Sequence, residues 1–277
     1  MTGLLSERVA IVTGGGVNIG RAVARRFAAE GARVVVSGRR EELLEETVAL
    51  IETEGGAAMA VPGDVTSLAD MERVAARTVE RFGTIDSLAA LAGGGHVDEE
   101  IDRIDAGWWV QVIQQNIVGT FHATRAVLPT MRAKNYGTIV TCAGGGALFP
   151  TPGTCATDYA TAKAGICRFT DQLAVELMDT GIRVNCMLPG LTWPEEKLAE
   201  VAAEEARTGK PHPDREHNRP PEESAELAAW LASEESSPLF GRTILTTEDW
   251  WRDPDKVHLV HHSYHRSCLR RVEPVLE

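Results

Sequence analysis

Residues 9–20 read VAIVTGGGVNIG, so an apolar run leads through a glycine-rich turn into the start of an amphipathic pattern. The run from Val9 to Thr13 predicts a buried strand, and residues 19–30 predict a helix. Glycines at such a junction permit a tight turn and let a pyrophosphate approach the N–H groups at the helix N-terminus. The alternative interpretation is a tight strand-to-helix connection that binds nothing.

The same alternation continues along the chain and predicts an α/β fold. Apolar runs predict further strands at 33–37, 57–61, 87–91, 138–142, 183–188 and 243–247. Helical patterns fall between them at 41–54, 67–82, 101–134, 157–180 and 222–233. Near-continuous apolar strands alternating with helices are typical of a parallel sheet covered on both faces. We therefore predict a single doubly wound, Rossmann-type domain.

Two segments depart from this alternation. Residues 209–221 are polar and rich in proline, so we expect a surface loop within a substrate lid over 193–221. The domain is predicted to span residues 1–250, and residues 251–277 to form an irregular C-terminal tail or arm. In this region Trp250 and Trp251 are expected to pack the tail over the site or against a neighbouring subunit.

The composition disfavours several classes of partner. Of 277 residues, 28 are Lys or Arg and 40 are Asp or Glu, which gives a formal net charge of −12. Such an acidic chain is poorly suited to nucleic acid or to an anionic membrane surface. No stretch approaches the roughly 20 apolar residues that span a bilayer. The five cysteines are odd in number and form no CxxC pair, so we expect a reduced, cytoplasmic protein.

The glycine-rich turn resembles the TGxxxGxG motif of the short-chain dehydrogenase/reductase family. Thr13, Gly14 and Gly20 match it, while Asn18 stands in place of the middle glycine. Asn tolerates positive φ better than other non-glycine residues, so the turn is expected to survive. The resemblance extends over residues 7–247. It includes Ala90-Leu-Ala-Gly93 in place of NNAG without its asparagines, Asn116, a YxxxK motif at Tyr159 and Lys163, and Pro189-Gly190 followed by Thr192.

The resemblance implies that the protein is a homo-oligomer, a tetramer or a dimer, with the long helices at the interface. It also implies a site for a nicotinamide dinucleotide and a proton relay that involves Tyr159, Lys163 and Asn116. Asn116 would hold a water that extends the relay, and Lys163 would also bind the nicotinamide ribose. The residues expected to bind the dinucleotide are Gly14, Asn18, Ile19, Gly20, Arg39, Asp64, Val65, Ala92, Gly93, Lys163, Pro189, Gly190 and Thr192.

Tyr159 and Lys163 are predicted to be the proton-transfer pair. Four residues apart, they share one face of a helix. A phenol titrates near 10, and a nearby ammonium is expected to lower that pKa. Tyr159 is then expected to give or take a proton near neutral pH. As isolated residues, the two would be an ordinary surface pair.

The end of the second strand bears on the choice of dinucleotide. Gly38 stands where relatives that prefer NAD carry Asp, and Arg39 and Arg40 follow directly. A guanidinium binds a phosphate through two hydrogen bonds, which favours NADP over NAD. The alternative is that both arginines are solvated loop residues.

One member of the family's catalytic group is missing from the sequence. The family places a Ser after the fifth strand, and here that position falls on Gly144, within the segment Thr141-Cys-Ala-Gly-Gly-Gly146. Thr141, Thr154, Thr157 or a backbone N–H of residues 144–146 are the candidates to replace its hydroxyl. The glycines also leave room for a bulky substrate, so Gly144, Gly145 and Trp193 are predicted to be substrate contacts.

These residues predict an NADP-dependent oxidoreductase that interconverts a carbonyl and a secondary alcohol on a specialised small molecule. The alternative is an enzyme of the same fold with non-redox chemistry, such as dehydration, isomerisation, cyclisation or carbon–carbon cleavage, in which Tyr159 is the acid or base. A third hypothesis is a non-catalytic subunit.

Four histidines are close in sequence near the end of the chain: His258, His261, His262 and His265. We predict no metal site there, because no acidic or Cys partner completes a ligand pattern with them.

Overall fold

A parallel sheet forms the centre of the molecule. The computed structural model describes residues 3–151, 153–237 and 239–262. Its strands are β1 (Val9–Thr13), β2 (Arg33–Ser37), β3 (Ala57–Ala60), β4 (Ser87–Ala90), β5 (Gly137–Cys142), β6 (Ile182–Leu188) and β7 (Thr243–Leu245). Within the described residues these seven strands form one sheet in the order β3-β2-β1-β4-β5-β6-β7, and every neighbouring pair is parallel. The predicted doubly wound α/β fold is confirmed.

Helices cover both faces of this sheet. They are α1 (Asn18–Ala29), α2 (Glu41–Thr53), α3 (Leu68–Phe82), α4 (Ala106–Ile113), α5 (Gly119–Ala133), α6 (Thr157–Leu177), α7 (Glu195–Thr208), α8 (Pro221–Ala232) and α9 (Pro254–His261). A π-helical turn, Gln114–Val118, joins α4 to α5. Helices α1, α2 and α8 pack with one face of the sheet, and α3, α5 and α6 with the other.

The strands supply alternate side chains to two hydrophobic layers. In β1, Ala10 and Val12 belong to the layer that contains α1 and α8, while Ile11 belongs to the opposite layer. Successive strand residues point to opposite faces, so a run of apolar residues covers both sides of the sheet. This burial explains why the strands are the part of the fold that the sequence predicts best.

The register places the carboxyl ends of the central strands side by side. Thr13 at the end of β1 pairs with Ser37 of β2 on one side and with Ala90 of β4 on the other. The chain order reverses between β1 and β4, and ligands of open α/β sheets bind at such a switch point. The loops that follow β1, β2, β4, β5 and β6 therefore define the region in which to look for a site.

Residues 251–262 are more ordered than the sequence analysis predicted. Residues 254–261 form α9, whose first N–H groups are capped by the Asp253 carboxylate at 3.1 and 3.4 Å. Val257 and Val260 are buried, and the Trp251 ring lies 5.4 Å from that of Trp230 on α8. The prediction of an irregular segment is thus wrong for α9, because an Asp-Pro helix start and two apolar anchors dock it. Residues 263–277, which include His265, lie outside the described residues.

The predicted lid contains a helix that the sequence analysis did not separate from the loop. Helix α7 has acidic residues in its first turn, ends at Gly209 in a left-handed conformation, and buries Val201. Between α7 and α8 the chain is irregular apart from a short 3₁₀ turn at Arg215–His217, as the proline-rich composition predicts. The polar loop is therefore confirmed over most of its length.

Candidate active site

The glycine-rich turn forms a cradle that side chains would close. A Cβ on Gly20 would lie 2.6 Å from the carbonyl carbon of Gly14, and Gly14 itself has φ +71°. Asn18 has φ +45°, so the expectation that Asn replaces a glycine in this turn is confirmed. The N-cap residue of α1 makes no side-chain hydrogen bond to the first turn. The N–H groups of this turn are therefore available to bind an anion.

Thr13 ties this turn to the loop after β4. Its Oγ1 accepts the backbone N–H groups of Leu91 at 3.1 Å and Ala92 at 3.2 Å. An added Cβ on Gly14 would lie 3.0 Å from the Ala92 backbone, so the two loops are in close contact. The Thr13 hydroxyl thus fixes one wall of the cleft against the other.

A cleft of about 1050 Å³ opens along the carboxyl edge of the sheet. Tyr159, Gly144 and Gly145 line it, together with Arg40. Every residue predicted to bind the dinucleotide lies on the same cleft: Gly14, Asn18, Ile19, Gly20, Arg39, Asp64, Val65, Ala92, Gly93, Lys163, Pro189, Gly190 and Thr192. The structure therefore brings the predicted cofactor residues and the Tyr-Lys pair into one cavity.

Tyr159 and Lys163 lie one turn apart on α6 and face the cleft. The Lys163 Nζ is 5.4 Å from the centre of the Tyr159 ring and donates a hydrogen bond to the Cys142 carbonyl at 3.1 Å. Lys163 is 5% exposed, so its ammonium is held in a fixed position beside the phenol. The phenol and the ammonium therefore lie side by side on the same cleft.

The net pKa shift of Tyr159 is opposite to the one expected. Burial of the phenol raises its pKa, and the Lys163 charge lowers it by less. Burial likewise raises the pKa of the Cys142 thiol to about 11. The expectation of a lowered Tyr159 pKa considered only the ammonium, because the sequence does not show how deeply the ring is buried.

Asn116 supports the wall of the cleft rather than lining it. Its side-chain nitrogen donates to the Gly94 carbonyl at 2.8 Å and to the Val112 carbonyl at 2.9 Å, and its oxygen accepts the Gly94 N–H at 3.1 Å. It lies within the π-helical turn, a feature that is frequent at functional sites. A Cβ on Gly93 would lie 3.2 Å from the Asn116 side-chain carbon, so a glycine is required at 93.

Gly144 lies directly against the Tyr159 phenol. A Cβ added to Gly144 would overlap the hydroxyl oxygen of Tyr159 and lie 3.0 Å from its ring carbon Cζ, whereas nothing lies within 4 Å of one added to Gly145. The Thr141 hydroxyl is buried against that of Thr170 at 2.7 Å, so it is not directed into the cleft. Of the hydroxyls considered as replacements, Thr154 lines the cleft and Thr141 and Thr157 do not.

The predicted substrate contact Trp193 is not brought to the cleft surface. Its side chain is buried, its ring meets the His212 ring edge-on at 5.1 Å, and its backbone N–H donates to the Asn218 side chain at 2.8 Å. Trp193 therefore stabilises the loop that contains His212 and Asn218, since a large apolar ring is more stable when buried than when exposed to solvent. Within residues 193–221, Pro194 and Asp214 line the cleft, and the place of Asp214 in a polar loop gave no signal in the sequence.

His258, His261 and His262 do not line this cleft. The His258 and His261 rings are 4.3 and 4.7 Å from that of His262, and none of the three lines the cavity. In the part of the chain that the structure describes, no group of three or more His, Cys, Asp or Glu side chains is arranged to hold a metal ion.

An open parallel sheet with a glycine cradle and a Tyr-Lys pair at its switch point defines a dinucleotide-dependent enzyme. The sequence profile of the short-chain dehydrogenase family matches residues 8–204. The chain belongs to this family and is an NAD(P)-dependent oxidoreductase.

Several known proteins are similar over most of the chain. Glucose 1-dehydrogenase 2 of Bacillus subtilis (strain 168) is 34% identical over 244 residues, which are 87% of this chain and 93% of that protein. A Streptomyces virginiae A-factor type γ-butyrolactone 1′-reductase (1S-forming) is 34% identical over 256 residues, covering 88% and 95%. The crystal structure of an actinorhodin polyketide ketoreductase with NADPH superposes with a TM-score of 0.77 at 29% identity, covering 88% and 97%.

The residues of the cleft fit a nicotinamide dinucleotide. The Thr192 Oγ1 is buried in the cleft wall and has no hydrogen-bond partner among the described residues. A buried unsatisfied hydroxyl costs about 1–3 kcal/mol, and the nicotinamide carboxamide would supply the missing partner. The glycine cradle would hold the pyrophosphate at the N-terminus of α1.

None of the described helices is both long enough and apolar enough to span a bilayer.

Proposed function

We propose that the protein is an NADP-dependent reductase that interconverts a carbonyl and a secondary alcohol on a specialised small molecule. The observation that carries this proposal is the shared cleft, in which Tyr159 and Lys163 face the same space as the glycine cradle. When bound, the dinucleotide supplies or accepts the hydride. The protein must then place a proton donor beside the carbonyl oxygen, and Tyr159 is the side chain positioned to do so.

The roles of the protein side chains follow from their contacts. In reduction, Tyr159 gives its proton to the substrate oxygen as the negative charge develops there. Lys163, fixed by the Cys142 carbonyl, would hold the nicotinamide ribose and stabilise the resulting phenolate. Asn116 is a positioning residue, because its three hydrogen bonds fix the Gly94 loop and the π-helical turn.

The raised pKa of Tyr159 sets an expected pH dependence. Since burial keeps Tyr159 in the phenol form, titration of the phenol should not limit carbonyl reduction below about pH 10, the ordinary value for a phenol. Alcohol oxidation needs the phenolate and should instead rise with pH throughout the accessible range. Initial rates measured in both directions test this, and a loss of reduction centred near pH 7 that reflects the phenol would contradict it.

Two arginines favour NADP over NAD in this proposal. Arg39 and Arg40 line the cleft beyond β2 and are exposed, and their side chains form no ion pair or hydrogen bond recorded among the described residues. An unpaired guanidinium at this edge is suited to the 2′-phosphate of the adenosine ribose. Gly38 contributes no carboxylate that would repel that phosphate.

Substitution of Arg39 tests the cofactor preference. We expect Arg39→Ala to weaken NADPH binding about tenfold or more, as loss of a charge-assisted hydrogen bond implies, and to leave NADH binding nearly unchanged. Arg77→Ala on α3 is the matched control, since Arg77 pairs with Glu80 away from the cleft. Equal losses for both dinucleotides, or none, would contradict the proposed role of Arg39.

We further propose that this protein works without the serine hydroxyl that the family pattern places at Gly144. The contact between Gly144 and the phenol supports this, because Tyr159 occupies the space that a side chain at 144 needs. The open space beside Gly145 supports a bulky substrate. The Thr154 hydroxyl, which donates to the Thr151 carbonyl at 3.0 Å, remains available in the cleft as an acceptor.

A homo-oligomer, a tetramer or a dimer, is part of the proposal. Three apolar side chains on α5 and at the end of α6 support it: Phe121 is 42% exposed, Val175 58% and Met178 61%. Exposed apolar side chains on long helices are suited to contact with a second copy. Light scattering on the purified protein tests this assembly.

The experiment for the proposed function is direct. The purified protein is incubated with NADPH and a panel of ketones while the absorbance of the reduced nicotinamide and the products are followed. NADPH oxidation with an equal amount of secondary alcohol is expected. Non-redox chemistry on the same fold is the second candidate function, because the hydroxyl is absent at Gly144. Conversion of a substrate without any NADPH oxidation would favour this alternative.

A further inference from the structure

A buried carboxylate lies next to the proton donor in the sequence and has an unusual set of partners. Asp158, directly before Tyr159 in the first turn of α6, is 0% exposed. Its oxygens accept the Trp108 indole N–H at 3.3 Å and the Tyr159 backbone N–H at 2.7 Å, and lie 3.4 Å from the Nδ1 of His96. A buried carboxylate is costly unless a positive group compensates it. Among these recorded partners, His96 is the one that has a cationic form.

His96 lies near the phenol, next to the cleft but not among the residues that line it. It follows the glycines after β4, and its ring centre is 6.4 Å from that of Tyr159. Because Nδ1 faces Asp158, the Nε2 on the opposite side of the ring is left for another partner. The side chain of His96 is 37% exposed, so that nitrogen can be reached from solvent and by a ligand.

The loop that carries His96 is fastened on both sides. On one side the Gly94 N–H donates to the Asn116 side chain at 3.1 Å. On the other side the Asp98 carboxylate accepts the Cys155 N–H at 2.7 Å, close to the start of α6. The segment that carries the imidazole is therefore held in place near the Tyr159 ring, as a preorganised donor must be.

We propose that His96, oriented by the buried Asp158, is a substrate-contacting residue whose Nε2–H donates a hydrogen bond to the oxygen that Tyr159 protonates. This inference rests on the proposed carbonyl reduction. It assigns to His96 the contact for which Gly144 offers no side chain. The imidazolium form donates Nδ1–H to Asp158 and Nε2–H to the substrate. One ring therefore stabilises both the buried Asp158 carboxylate and the negative charge that develops on the substrate oxygen.

The chemical balance of the reaction is unchanged by this contact. A bound NADPH would supply the hydride for the new C–H bond at the carbonyl carbon, and the π electrons of the C=O bond would move to oxygen. Tyr159 transfers its proton to that oxygen and so completes the alcohol. His96 transfers neither proton nor electron, and stabilises the negative charge only while it develops.

Substitutions at His96 test the proposal. Their effects on kcat and on rescue by imidazole would not be expected if His96 had only a structural role. We expect His96→Ala to lower kcat for ketone reduction about 10- to 100-fold, as loss of a hydrogen bond from a charged group implies, with NADPH affinity unchanged. Added imidazole should restore part of that loss, and His96→Gln, which keeps an N–H donor, should lose less. Asp158→Asn should also lower kcat, because it removes the charge that orients the ring. His258→Ala on α9 is the matched control.

The outcomes separate this inference from the proposed function. Wild-type protein that oxidises no NADPH with any ketone defeats the proposed function itself. If wild type is active and His96→Ala has the same kcat, the inference about His96 is overturned and carbonyl reduction stands. A loss in His96→Ala that neither imidazole nor glutamine restores also overturns it, because the ring would then act only in packing.

Discussion

Tyr159→Phe is expected to lower the rate of ketone reduction about 1000-fold, within the 10²–10⁴ range of general acid catalysis, and to leave NADPH binding intact. The substitution removes a single oxygen. The ring that packs against Gly144 and lies 5.4 Å from the Lys163 Nζ remains in place. The loss should therefore appear in kcat, measured under saturating NADPH and ketone, while the dissociation constant of NADPH from fluorescence titration stays the same.

The matched control for this substitution is Tyr136→Phe. The Tyr136 ring lies 4.2 Å from the Arg8 guanidinium, outside the cleft, and burial raises the pKa of Tyr136 to about 12. Removal of that hydroxyl should leave kcat unaltered. If Tyr159→Phe retained most of the wild-type kcat, another group would have to supply the proton and the assignment of Tyr159 would be wrong.

Gly144→Ser is expected to reduce kcat about 100-fold, although it restores the residue type that the family pattern has at this position. An added Cβ would overlap the Tyr159 hydroxyl oxygen and lie 3.0 Å from Cζ and 3.2 Å from Cε1. Either the serine or the phenol must move, and the phenol is the proton donor. Misplacement of a catalytic group by about 1 Å costs on the order of 100-fold in rate.

Gly145→Ser is the comparison variant for this prediction. Nothing lies within 4 Å of an added Cβ there, so it should lose less activity on a small ketone than Gly144→Ser does. The measurement is kcat for both variants on one small and one bulky substrate. A rate for Gly144→Ser above that of wild type would mean that Tyr159 can move aside and that the missing hydroxyl limits the enzyme.

The sequence predicts the sheet well, and the residues assigned to the cofactor come together in one cleft, because local rules determine the strands and the turn. Each strand is a short apolar run, and the turn residues Gly14, Asn18 and Gly20 have conformations or contacts that few other residues permit. The alignment of the strand ends then follows from the parallel register. Hence the residues after each strand reach the same cleft.

The features that the sequence did not reveal depend on tertiary contacts. The raised pKa of Tyr159 results from burial by distant elements, and the burial of Trp193 results from packing on His212 across the lid loop. The meeting of His96 with Asp158 joins residues 62 positions apart. No periodicity or motif indicates such contacts, since they join residues that only the folded chain brings together.

The most direct test of the central claim is hydride transfer followed with an isotope. The purified protein is given NADPH that carries deuterium on the transferable position of the nicotinamide, together with a ketone that it accepts, and the alcohol is analysed by mass spectrometry and NMR. We predict that deuterium appears on the carbinol carbon in an amount equal to the NADPH oxidised, and that Tyr159→Phe forms this product far more slowly. A converted substrate without deuterium on that carbon would contradict the account, because the Tyr159 proton would then serve a reaction in which no hydride moves.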